Sequence, residues 1–217
     1  MIVRINSAGV SGYTSDVGSR THVRVGWPRG MMDAKRRETL RDGELLVLTV
    51  PNLLEHETWD DEPDWNSWYE GAYLGDLGRE HDLFSVEGGW AAGLHTEQLE
   101  GAGDWPSTGF VALAMAVALA ADAGAPPPSV YGFGACPPCA KYYECVSQIS
   151  DARDLTLEAQ GVDAHHPFGT EAQVRKAWHR AGVIHLVEPS CDGFASKYRP
   201  ESPPHPPFPP QSPPSPA

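Results

Sequence analysis

"DWPSTGFVALAMAVALAADAG", residues 104–124, decides how this chain is organised. From Phe110 to Ala121 every residue is apolar. The run is too short to cross a bilayer, so it reads as a helix buried in a core. Its front end is different in kind, because Pro106, Ser107, Thr108 and Gly109 are small and two of them carry hydroxyls. Two readings stand side by side. Ser107 or Thr108 caps the helix by accepting from an amide of its first turn. Alternatively the helix start is an anion site, with hydroxyls and backbone N–H groups at the positive end of the dipole. Gly109 then lets a ligand come close to the backbone.

Outward from this helix, strands and helices alternate. "MIVRI" reads as a strand from the first residue, "MMDAKRRETLR" (31–41) as a polar surface helix, and "ELLVLTV" (44–50) as a strand closed by Pro51. Residues 52–78 carry Trp59, Trp65 and Trp68 among acidic residues and read as loop and short helix. "HDLFSV" (81–86) is a strand or turn, and "SVYGF" (129–133) is a strand. "TEAQVRKAWHRAG" (170–182) is a helix burying Val174, Ala177, Trp178 and Ala181, with Gly182 as its C-cap, before a last strand "VIHLVE" (183–188). This alternation predicts an α/β layered domain with a largely parallel sheet. The domain is expected over 1–196, and 197–217, rich in Ser-Pro and Pro-Pro, as a disordered tail. A strand with no lead-in predicts that the chain opens inside a domain.

The 217 residues amount to one domain, and a formal charge of −13 argues against nucleic acid or an anionic membrane surface as partner. It leaves a small anionic ligand open, since a helix N-terminus acts locally. No signal peptide or charged presequence is visible. Cys136, Cys139, Cys145 and Cys191 are the four cysteines. Cys136-Pro137-Pro138-Cys139 has CxxC spacing, yet no second CxxC completes a zinc tetrad. A local disulfide or idle thiols is the plainer reading, and a redox or zinc site the sharper one. The acidic run Asp60–Asp64 reads as a solvated loop rather than a metal-binding motif.

Other motifs are ambiguous one at a time. Gly132 and Gly134 flank Phe133 at the end of a strand, which means tight turning or close ligand approach. No GxGxxG or phosphate-loop pattern supports a nicotinamide or ATP site. "KYYE" (141–144) is an amphipathic turn taken alone. His166 precedes Pro167 and so is held off the following helix, whose first turn carries Glu171. A loop histidine near a carboxylate is a general base, a metal ligand or a bystander.

Together and in this order, these pieces resemble the eukaryotic sialyltransferases, glycosyltransferase family 29. "WPSTGFVALAMAVALAADAG…SVYGFGA" is similar to the small sialylmotif, "KYYE" to the third motif, and "HHPFGTE" to the very small motif. Ile2-Val3-Arg4-Ile5-Asn6, Gly12-Tyr13 and Asp16-Val17-Gly18-Ser19-Arg20-Thr21 resemble the end of the large motif. The resemblance implies a Rossmann-like domain, the sialyltransferase variant of the GT-A type. It implies inverting, metal-independent transfer of sialic acid or a related 2-keto sugar from a CMP-sugar to a glycan hydroxyl, with no further cofactor. Mapped onto this chain, Asn6 hydrogen-bonds the nucleotide, and Ser107, Thr108, Gly109 and Gly134 form its pocket. His166 is the base, Lys141 stabilises the leaving phosphate, and Tyr142 and Glu171 join the substrate-binding set.

The resemblance further implies a Golgi-lumenal enzyme whose transmembrane anchor lies outside this chain. The first half of the large motif is absent, and Ala121 stands where the small motif carries a cysteine. The family's disulfide is therefore expected to be missing, together with a first strand and part of the nucleotide site. A CMP-binding protein without turnover, and less favourably a CxxC thiol or zinc protein, are the competing functions.

Overall fold

The computed structural model describes residues 1–6, 8–10, 14–27, 31, 40–49, 80–133 and 166–187. Four short strands form a parallel sheet in sequence order: β1 (Val3–Ile5), β2 (Val23–Gly26), β3 (Leu45–Leu48) and β4 (Leu83–Ser85). Val3 pairs with Val23, Val23 with Leu45, and Leu46 with Leu83. A single helical turn, α1 (Thr14–Val17), lies between β1 and β2. The other helices are α2 (Gly88–Leu99), α3 (Thr108–Asp122) and α4 (Phe168–Arg180). Strands β5 (Ser129–Tyr131) and β6 (His185–Val187) make a separate parallel pair. Every described strand pairing is parallel, so the fold is α/β with a mainly parallel sheet.

Helix α3 organises the core because consecutive residues face different partners. Phe110, Val111 and Ala114 pack with Leu94 and Leu99 of α2, and with Val174 and Trp178 of α4. Ala112 meets Val23, Val25 and Val47 of the sheet. Leu113 meets Val130 of β5 and Ile184 at the entry to β6. Surrounded in this way, the first turns of the helix have no side on which a polar residue could sit without desolvation. Ring stacking of Phe110 on Trp178, centroids 5.5 Å apart, fastens α3 to α4. Only the first turns are enclosed. Phe110 to Ala114 are buried, whereas Ala118 and Leu119 are exposed, so the second half of the apolar run emerges from the core.

The expected face of α4 needs correction. Ala177 and Ala181 are exposed, Val174 and Trp178 are only half-buried, and the deeply buried residues are Glu171 and Arg175. Only Val174 and Trp178 of the expected stripe pack inward, while Glu171 is enclosed because it serves the neighbouring α3. The helix stops at Ala181, and Gly182, one residue beyond, takes the left-handed conformation at φ 73°. Gly182 N–H donates to the His179 carbonyl at 3.1 Å and Val183 N–H to the Trp178 carbonyl at 2.9 Å. That is a Schellman stop, for which the residue after the cap is best a glycine.

Strand β2 and helix α2 were not expected from the sequence. His22-Val23-Arg24-Val25 carries the alternation of a strand, but its arginine is buried, not exposed. Helix α2 contains Gly88, Gly89 and Gly93, which obscure its periodicity. The segments 32–39, 52–78 and 197–217, and with them the expected polar helix, the tryptophan-rich loop and the Pro-rich tail, lie outside the described residues. No described helix is long and apolar enough to cross a membrane.

Candidate active site

The carboxyl ends of β1, β2 and β3 and the start of α3 meet at one edge of the sheet. Asn6 follows β1 in a left-handed conformation, φ 49°, that asparagine tolerates better than most residues. Its N–H donates to the Val25 carbonyl at 2.8 Å, and its Oδ1 accepts from Trp27 N–H at 3.1 Å. The side-chain amide NH2 of Asn6 has no hydrogen-bond partner among the described residues. Beneath the turn, Arg24 Nη1 donates to the Asn6 carbonyl at 2.8 Å and to the Ala8 carbonyl at 3.1 Å. Arg24 is neutralised by Glu44, with Nε to Oε2 at 2.8 Å and both side chains 1% exposed. The pair therefore supports the backbone turn that carries Asn6.

The line continues across the sheet. Thr49 N–H donates to the Gly26 carbonyl at 2.9 Å, and the Thr49 hydroxyl is 3.3 Å from that of Thr108 in the first turn of α3. Helix α3 thus begins directly beyond the carboxyl end of β3, which is where open α/β sheets place ligands.

Ser107 is the N-cap, its Oγ accepting from Phe110 N–H at 3.2 Å. Its other contacts come from α4. Glu171 accepts from the Ser107 amide at 2.6 Å and from the Ser107 hydroxyl at 2.7 Å. Ser107 is 8% exposed and Glu171 1% exposed. Both hydrogen-bonding directions of the hydroxyl are engaged inside the protein, so Ser107 acts here by fixing the helix start. The amides of Thr108 and Gly109 have no partner among the described residues. Gly109 has a packing reason of its own: a Cβ there would lie 3.1 Å from the Phe133 ring.

His166 stands just before α4. Its Nδ1 is 3.0 Å from the Trp105 carbonyl, and its ring meets Phe168 edge-on at 5.5 Å. A carbonyl can only accept, so Nδ1 carries the proton and, in the neutral ring, Nε2 carries the lone pair. Trp105 is itself positioned by a folded-back loop. His95 Nε2 reaches the Ala102 and Gly103 carbonyls at 2.9 and 3.1 Å, while Glu100, Gly101 and Gly103 turn the chain at positive φ. Arg175, one turn after Glu171, has its guanidinium 5.0 Å above the Phe133 ring. Burial lowers its pKa from the ordinary arginine value, partly offset by the Glu171 carboxylate.

Of the residues singled out in the sequence, the structure brings Ser107, Thr108, Gly109, His166 and Glu171 together. Asn6 stands on the same edge, joined to them through Trp27, Gly26 and Thr49. Gly134, Lys141 and Tyr142 lie outside the described residues, as do all four cysteines. Arg24, Glu44, Thr49, Trp105 and Arg175 were not anticipated. Only for Arg24 was there a visible signal, a charge at the centre of a Val-Arg-Val alternation.

A mainly parallel α/β sheet has a glycine-bearing helix start at its carboxyl edge with His166 beside it, the place where open α/β sheets hold small ligands. Residues 1–56 match the family model of glycosyltransferase family 29 (sialyltransferase). The fold is shared with solved structures. One is a mammalian sialyltransferase in complex with Gal-beta-1-3GalNAc-ortho-nitrophenol, at 16% identity and a TM-score of 0.50. Another is a mammalian sialyltransferase with the same identity and score. The alignments cover 86% of this chain and 60% and 59% of those chains, so it spans about three-fifths of their length. No curated protein matches it. The family match thus covers the first part of the chain, and the solved structures show the shared fold.

Proposed function

We propose that the chain is a CMP-sugar-dependent glycosyltransferase, moving sialic acid or a related 2-keto acid sugar to a glycan hydroxyl with inversion. The observation that carries this reading is the Nδ1 contact of His166 with the Trp105 carbonyl, two residues before the Ser107 cap. It turns the ring so that, in the neutral form, the lone pair is on Nε2, beside a helix start suited to an anion. In the reaction, the acceptor hydroxyl attacks the anomeric carbon and gives its proton to His166 Nε2. The bond from that carbon to the phosphate oxygen breaks, and CMP departs with the electron pair. The amides of Thr108 and Gly109 stabilise the charge that develops on the leaving phosphate. Asn6 supplies its side-chain amide to the nucleotide, and the resemblance assigns Gly134, Lys141 and Tyr142 to the same binding set. Glu171 and Ser107 hold the helix start in place. The chemistry requires no metal, and the resemblance to the sialyltransferases suits a Golgi-lumenal setting.

The test begins with CMP binding by calorimetry, comparing the chain with Thr108→Ala and Asn6→Ala. Both variants are expected to bind more weakly, and His166→Ala is expected to retain CMP binding while transfer from a CMP-sugar falls by about 10²–10⁴-fold. Saturable CMP binding without transfer to any acceptor would identify a nucleotide-binding protein without turnover. A folded chain that does not bind CMP would refute the nucleotide-sugar reading.

A further inference from the structure

Arg175 is a buried cation whose hydrogen-bonding capacity the protein leaves open. The residue is 8% exposed. Its nearest carboxylate oxygen, Glu171 Oε2, is 3.6 Å from Nη1, beyond hydrogen-bonding reach. Both oxygens of Glu171 are already held by Ser107, at 2.6 and 2.7 Å. Among the described residues no hydrogen bond to the guanidinium is present. No Arg175 nitrogen is both sealed from solvent and without a partner, so these donors remain open to a ligand from outside the chain.

Its placement says what that partner is. The guanidinium carbon lies 5.0 Å over the centroid of Phe133, whose ring lies against Gly109 in the first turn of α3. It therefore sits beside a helix start at which the Thr108 and Gly109 amides have no partner among the described residues. The ring contacts the guanidinium through its carbon and takes up none of its N–H donors. Those donors match two phosphate oxygens at once, which a lysine cannot do.

We propose that Arg175 is an anion-binding residue of this site, receiving the phosphate of a nucleoside monophosphate together with the open amides of α3. The inference rests on the nucleotide-sugar reading for the identity of the ligand, and on the Arg175 geometry alone for its charge. Ion pairing with Glu171 is then secondary, and it explains why the carboxylate is turned toward Ser107 and not onto the arginine.

The experiment is a calorimetric comparison of CMP with cytidine, which lacks the phosphate. The native chain is expected to prefer CMP. Arg175→Gln is expected to cut that preference by about tenfold or more while leaving cytidine affinity unchanged. An unchanged preference, or an equal loss for both ligands, would overturn the proposal, the second because it marks a general disturbance of the fold. If Arg175→Gln does not fold, Arg175→Lys carries the same comparison, with a loss of about threefold or more expected. An intact preference in the lysine variant overturns the proposal. Should the native chain bind neither CMP nor cytidine, the nucleotide-sugar reading fails by itself. Inorganic phosphate is then the probe: binding that depends on Arg175 upholds the inference, and its absence overturns it.

Discussion

At the scale of single residues, Ser107 answers the question posed by its own sequence context in an unexpected way. The hydroxyl is a cap, and it is also the acid-facing half of a buried clasp with Glu171. Both residues are visible in the sequence, 64 positions apart, but nothing in spacing or periodicity pairs them. The carboxylate receives two donors from one residue, an arrangement glutamine cannot copy. Its single acceptor oxygen serves one donor, and its NH2 group faces the other. Glu171→Gln is accordingly expected to destabilise the chain by about 1–3 kcal/mol, read as a lowered midpoint in urea unfolding. Ser107→Ala retains the backbone donor and loses the cap, so a loss of about 1 kcal/mol is expected. Equal stability of Glu171→Gln and the native chain would show that the clasp contributes nothing.

At the scale of elements, α3 was legible because a run of apolar residues has only one comfortable place, and its capping hydroxyl marked where it begins. The strands β1, β3 and β5 were legible for a related reason, as short apolar stretches bounded by turn residues. Failures came where a charge or a glycine served a neighbouring element. Arg24 inside β2 and Glu171 inside α4 are enclosed by tertiary partners that local patterning cannot contain. The three glycines of α2 hid a helix that packing against α3 stabilises. Helix α3 is itself asymmetric, and this predicts an asymmetric response. Ala112 is 2% exposed and lies between the helix and the sheet. Ala112→Leu is expected to overpack that seam and to cost about 1–3 kcal/mol. Ala118→Lys, on the exposed half of the same helix, is expected to stay within about 0.5 kcal/mol of the native chain. Thermal unfolding of the two variants separates these expectations, and equal effects would contradict the description of α3 as enclosed only at its start.

At the scale of the whole molecule, the sheet delivers its functional edge through a buried ion pair. Arg24 reaches from β2 to the carbonyls of Asn6 and Ala8, and Glu44, just before β3, holds it from the other side. Removing either partner leaves a buried charge uncompensated, so Arg24→Met or Glu44→Leu alone is expected to cost about 3–5 kcal/mol. The double variant Arg24→Met/Glu44→Leu removes both charges and fills the space with apolar atoms. A buried pair replaced in this way is often neutral for stability, so most of the single-variant loss should be recovered. Its effect on the ligand edge should not recover, because the Asn6 and Ala8 carbonyls lose the donors that fix the left-handed turn. Stability and CMP affinity are therefore expected to separate in the double variant, with unfolding near that of the native chain and CMP binding still weakened. Calorimetry and urea unfolding on the same four proteins decide the matter. Native-like CMP affinity in a stable double variant would mean that Asn6 holds its turn without the pair, and that Arg24 and Glu44 serve the sheet alone.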